Sequence, residues 1–182
     1  MVYVLTLISI AILIFIILYN RLITLKYKVK AAWSDIDVQL KRRFDLLPML
    51  ADTVKSYSTY ERGLFEKITE MRSKIESSQT INEKASLQND VSKIAKTLLA
   101  VAEAYPDLKA NQSFIDLQKN ISNVEEQIQY ARRYYNGTVR DYNTLILSFP
   151  SNIVANLFKF KAEDFFEIEF ATQKMPPEIK LA

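Results

Sequence analysis

Three groups of residues have types that could do chemistry: the carboxylates Asp35 and Asp37, the adjacent Glu125 and Glu126, and the basic run Lys41, Arg42 and Arg43. Two carboxylates serve as general acid and base only when both face one cavity. Asp35 and Asp37 are two apart in a helical pattern and point to different faces, while Glu125 and Glu126 are neighbours that read as solvated. The chain has no histidine and no cysteine. That removes imidazole and thiolate metal sites, cysteine nucleophiles, the Ser-His-Asp arrangement and disulfides. It also lacks a Glu-x-x-His pair of the di-iron bundle type, a Gly-rich phosphate loop and a base placed to activate a serine. The expectation is a non-enzymatic protein with no cofactor and no metal.

The basic run reads as the solvated side of an amphipathic helix, and a formal net charge of +3 adds no sign of a nucleic-acid partner. A more specific cluster is polar and aromatic. Tyr105, Pro106, Asp107, Asn111 and Gln112 fall in "EAYPDLKANQSF", and Arg132, Arg133, Tyr135 and Asn136 follow further along. Two uses fit them. As turn formers and bundle-end contacts, Pro106 disfavours helix at Tyr105, Asn111 or Ser113 caps the next helix, and Arg132 or Arg133 reaches Asp107 or a helix C-terminus. As a recognition surface, the same residues would meet a partner.

The elements that position them are helical. Two glycines in 182 residues, with Leu, Ile, Lys, Glu, Gln and Ala abundant, point to an all-α chain. Val2 to Leu18, "VYVLTLISIAILIFIIL", is apolar apart from Thr6 and Ser9. With Met1 and Tyr19 it makes a helix of about 28 Å, close to a hydrocarbon core of about 30 Å. A cleaved signal peptide needs a basic start and a small-residue cleavage site, whereas this chain opens "MVYVL" and leaves the run through "LYNRLI". An uncleaved transmembrane anchor over residues 1–20 is the better reading, and the lipid bilayer is its first partner. Arg21, Lys26, Lys28 and Lys30 follow at the membrane interface, where each cation near an anionic surface contributes about 1 kcal/mol. They place the remainder in the cytoplasm by the positive-inside rule.

Past the anchor, Leu22, Leu25, Val29, Trp33, Ile36, Leu40, Phe44, Leu47, Ala51 and Val54 recur at helical spacing. Anchor and first bundle helix should form one rod, with a kink or restart at Pro48. A weak point follows at "SYSTYERG". Leu64, Ile68, Met71 and Ile75 then give a second stripe, and Thr80 and Glu83 have capping-box spacing for a third helix. Its seam is Leu87, Val91, Ile94, Leu98, Val101 and Tyr105. A fourth helix carries Phe114, Leu117, Ile121, Val124, Ile128, Ala131, Tyr135, Tyr142 and Leu145, ending at "FPSN". The segment from Ile153 to Ala171 suggests two short helices folded over one end of the bundle, because its phenylalanines would otherwise be an exposed patch. The simplest assembly is an up-and-down four-helix bundle over residues 21–172 with a tail at 173–182; a two-armed coiled-coil hairpin is the alternative.

"AWSDIDVQLKRRFDLLPML", "AYPDLKANQSFIDLQ", "ARRYYN", "YNTLILSFPSNIVA" and "DFFEIEFA" resemble, in that order, the blocks of the LemA family of bacterial membrane proteins. The resemblance implies an N-terminal span followed by a four-helix bundle, in the bacterial inner membrane, with a poorly defined role in the cell envelope. This chain departs from the family at Lys159, between Phe158 and Phe160, where members often have Gly, and in a shorter acidic run. The expected function is that of a membrane-anchored adaptor for an unidentified envelope protein. The alternative is a homo-oligomeric scaffold that organises or shapes the membrane.

Overall fold

A computed structural model describes residues 1–55, 62–78 and 81–166, and the regular elements among them are all α-helices, with no strand. The helices are α1 (Val2–Lys55), α2 (Arg62–Ser77), α3 (Ile81–Glu103), α4 (Pro106–Lys109), α5 (Gln112–Leu147) and α6 (Ser151–Leu157). Residues 56–61 of the weak point Ser56 to Gly63, the Thr80 cap and the tail from 173 onward lie outside the described residues, while Arg62 and Gly63 already belong to α2.

Span and first bundle helix form one rod, as the periodicity predicts. At 1.5 Å per residue its 54 residues measure about 80 Å. No residue of its most apolar window is buried, although a core helix of that composition would be mostly buried. By length and composition it is able to cross a membrane. Further along, Leu22, Val29, Ile36, Leu40, Phe44, Leu47, Ala51 and Val54 are all buried, and Leu25 and Trp33 are half-buried.

The restart expected at Pro48 does not occur, because α1 runs through it. Proline inside a helix costs about 3 kcal/mol through a lost hydrogen bond and ring crowding. The surrounding Leu47, Leu50, Ala51 and Val54 are fully buried in the distal core, and burial of each large side chain contributes about 1.5–3 kcal/mol. Packing wins.

Four long helices run up and down. Beyond Leu40, α1, α2, α3 and the first part of α5 enclose one core, containing Phe44, Ile68, Met71, Val91, Leu98, Phe114 and Ile121. Nearer the anchor, α1 and α5 continue together, and their second core is closed by α6 and Phe166. Arg43 meets Glu125 at 2.7 Å and the rings of Trp33 and Tyr135 lie 5.8 Å apart. Ten residues back along α1 therefore match ten forward along α5, an antiparallel register without slip.

At the distal end the turn works as the residues suggest. Tyr105 is extended (φ −124°, ψ 94°), as the residue before a proline should be, and Pro106 opens α4. The Asn111 side chain accepts a hydrogen bond from the Phe114 N–H at 3.3 Å, capping α5, and Ser113 lies inside that helix.

The C-terminal segment differs from expectation. Among the described residues that follow α5 only α6 is helical; residues 160–166 are irregular and run back along α5 as a strap, and residues 167–171 of the expected segment lie outside the described residues. Two asparagines hold it. Asn143 donates to the Glu163 carbonyl at 2.9 Å and accepts from the Glu163 N–H at 3.0 Å. Asn136 does the same with Phe166, at 3.2 Å and 2.9 Å. Seven helical residues rise about 10.5 Å and three extended ones about 10 Å, so the two spacings match. Side-chain amides thus replace the bonds that a second helix would make internally.

Candidate functional site

The most chemically loaded place in the bundle is a cleft of about 640 Å³ between α3 and α5, floored by α1. Its floor contains Arg43, which is only 2% exposed. Lys41 and Arg42 do face solvent, but the solvated reading fails for Arg43. The reason is register: Ile36, Leu40, Arg43 and Leu47 continue one face of α1 at steps of four and three.

Burial disfavours the charged guanidinium and lowers the Arg43 pKa, while the charge and hydrogen bond of Glu125 oppose that shift. Glu125 is correspondingly half-buried, not solvated as the sequence suggests. One terminal nitrogen of Arg43 donates to Glu125 Oε1 at 2.7 Å and to Ser92 Oγ at 3.1 Å. The other donates to the Gln88 carbonyl at 3.1 Å and to Gln88 Oε1. Three helices therefore converge on one cation. Among the described residues its Nε has no acceptor.

A second guanidinium faces the same space. Arg132 lies over the Phe166 ring, 5.1 Å from its centroid, and its Nε also lacks an acceptor among the described residues. Burial lowers its pKa, and the Arg43 charge lowers it further. With Lys93 and Lys96 on the α3 rim, the lining carries four cations and Glu125 as its acid, although Lys93 also meets Asp90 at 3.1 Å just outside. Leu40, Ala95, Leu99, Ile121 and Ile128 supply apolar wall. No group of three or more carboxylates able to hold a metal occurs among the described residues.

The residues singled out from sequence do not form one site. Tyr105, Pro106, Asp107, Asn111 and Gln112 make the distal turn, where Gln112 donates to Asp116 at 3.0 Å. Arg132 is twenty residues up α5 from Gln112, about 30 Å away, so neither it nor Arg133 reaches Asp107. Arg133 donates to the Gln129 carbonyl at 3.4 Å and stands over the Tyr130 ring. Tyr135 donates to the Asp164 carbonyl at 2.8 Å, so it and Asn136 belong to the strap. Of Arg21, Lys26, Lys28 and Lys30, Lys26 turns onto the strap, 5.8 Å from the Phe160 centroid. Sequence reasoning missed Gln88, Ser92 and Asn143. The findable signal was position, since Gln88 lies three residues from both Ala85 and Val91, which are buried on the same helix.

The fold and cleft define a class: a helical-bundle protein carrying one helix long and apolar enough to cross a membrane, without strand or metal cluster among the described residues. Residues 32–181 match the LemA family, and the chain belongs to it. Protein LemA of Metamycoplasma hominis is 28% identical over 165 residues, spanning 86% of this chain and 74% of that protein. Magnetosome protein MamQ 2 of Paramagnetospirillum magneticum is 22% identical over 175 residues, and magnetosome protein MamQ of Magnetospirillum gryphiswaldense is 21% identical over 174. This chain spans 64% of the length of each of those two relatives.

Proposed function

We propose that this protein is a non-enzymatic adaptor, anchored by α1 in a bacterial cell membrane with its bundle in the cytoplasm, whose α3–α5 cleft takes an acidic amphipathic segment of another envelope protein. The carrying observation is the cationic lining of the cleft, with exposed Lys93 and Lys96 on the α3 rim facing half-buried Arg132 on α5, above an apolar wall. Guanidinium groups recognise carboxylates by paired hydrogen bonds, and a groove between helices suits a partner helix. The basic flank from Arg21 to Lys30 supports the cytoplasmic side.

A photo-crosslinking residue at Gln118, on the cleft rim, tests the reading in native membranes. Capture of a different protein, lost in the Lys96→Glu, Arg132→Glu variant while the thermal midpoint holds, is the expected result. Capture of further copies of this chain alone favours the scaffold, for which the exposed Val38, Tyr130 and Tyr134 on α1 and α5 provide a candidate face. Orientation is tested by Ser77→Cys: an impermeant thiol reagent should label it only after the cells are opened.

A further inference from the structure

The uncovered apolar surface at the anchor end does not stop with α1. Leu147, Phe149, Ile153 and Leu157 are 76%, 80%, 57% and 65% exposed. Ile153 and Leu157 share a face of α6, and Phe149 leads into it one turn earlier. The opposite face of α6, with Ser151, Val154 and Ala155, is buried. A soluble protein scatters single apolar residues over its surface; four large ones grouped on one turn and one helix face mark a contact.

Height decides what they contact. The antiparallel register that sets Trp33 beside Tyr135 brings Leu147, twelve residues on, level with Arg21, the first charge after the span. The turn and α6 therefore rise past the end of the bundle. Phe158, directly after α6, packs on Tyr19 at 4.6 Å and on Phe15 at 5.9 Å between ring centroids. Phe15 lies three residues inside the apolar run, about 4.5 Å below its last member, Leu18. That run is only just long enough to cross a bilayer, so Phe15 sits at acyl-chain depth and Phe158 shares it. Lys159 and Lys161, both exposed, come next and return the chain toward water.

We infer that the α5–α6 turn and the outer face of α6 form a second membrane contact, embedded beside the span at the boundary between headgroups and acyl chains, with Lys159 and Lys161 at phosphate level. The chain then holds the bilayer at two points: a spanning helix and a monotopic wedge. Lipid is the occupant because the wedge surface is continuous with a helix whose surroundings at that depth are lipid. The inference rests on α1 crossing the bilayer.

Absence of native cysteine makes site-specific labelling clean. Full-length Ile153→Cys, Ile8→Cys and Ser86→Cys proteins, each carrying an environment-sensitive fluorophore, are reconstituted in vesicles of phosphatidylcholine and phosphatidylglycerol. Quenching by nitroxides placed on the headgroup or deep in the acyl chain is then compared. The expected result is strong acyl-chain quenching at Ile8, none at Ser86, and several-fold stronger quenching at Ile153 by the headgroup and shallow nitroxides than at Ser86. Leu157→Cys should repeat the Ile153 pattern. Ile153 behaving like Ser86 while Ile8 is quenched overturns the wedge and leaves the anchor standing. An Ile153 signal shifted to the blue but insensitive to every lipid quencher also overturns it, showing that protein covers the face. No quenching at Ile8 removes the anchor and the wedge together.

Discussion

Burying a guanidinium is less costly the more of its donors are met, and Arg43 spends both terminal nitrogens on Glu125, Ser92 and Gln88. Breaking such a pair is worse than replacing it, because the orphaned charge remains. Glu125→Ala should therefore cost about 1–3 kcal/mol in chemical denaturation, reduced from the fully buried case because the carboxylate is a third open to water. Replacing both charges together, Arg43→Met with Glu125→Leu, should change stability by less than about 1 kcal/mol. A larger loss for this double replacement than for the carboxylate deletion would refute this account. Lys159 has φ 55°, the left-handed region where a side chain is strained and glycine is not. Lys159→Gly should raise the unfolding free energy by about 1 kcal/mol. The resemblance to relatives with Gly there pointed at this position, but the backbone angle gives the reason. Arg43 was hidden for the opposite reason: beside Lys41 and Arg42 its charge suggested solvent, although its place on the stripe was written in the spacing.

Among elements, the strap depends most on polar side chains. Tyr135 is shielded from water, and burial, aided by the negative charges of Glu163 and Asp164, pushes its hydroxyl up to about 12 from 10.0. Because the folded protein favours the neutral phenol, its contribution is complete below pH 10 and is lost as pH rises toward 12. Tyr142 shifts in the same direction, first through burial. The thermal midpoint should fall more steeply above pH 10 in the native protein than in Tyr135→Phe; parallel curves would count against the shift. Asn136→Ala, which removes both bonds to Phe166, should cost about 1–3 kcal/mol and expose Trp33 to a collisional quencher. Strap pairing was not legible in the sequence, because Asn136 and Asn143 have the spacing of an ordinary polar face and their partners lie twenty to thirty residues away. The stripes of α1 and α5 were legible, since a repeat near 3.6 needs no knowledge of the partner, and the Asn111 cap was equally local.

At the scale of the whole molecule, the bundle's stability should not depend on the span. Ile128, Val139 and Tyr142 pack against α1 residues from Leu22 onward, while Phe15, Leu18 and Tyr19 contribute only partly buried contacts. A chain starting at Arg21 should keep its helical content and melt cooperatively, and Ile128→Ala should cost it about 2–5 kcal/mol. Loss of cooperativity on removing the first twenty residues would show that the anchor is part of the core. One property of α1 reaches beyond stability. No glycine interrupts it, and its one internal proline, Pro48, lies beyond the floor residue Arg43. Between bilayer and cleft there is accordingly no joint to absorb torsion, and the helix acts as a crankshaft. Any swivel of that helix about its axis turns the Arg43 face through the same angle, so in the membrane-anchored adaptor proposed above the lipid that sets the anchor's azimuth would also set the compass bearing from which a partner approaches.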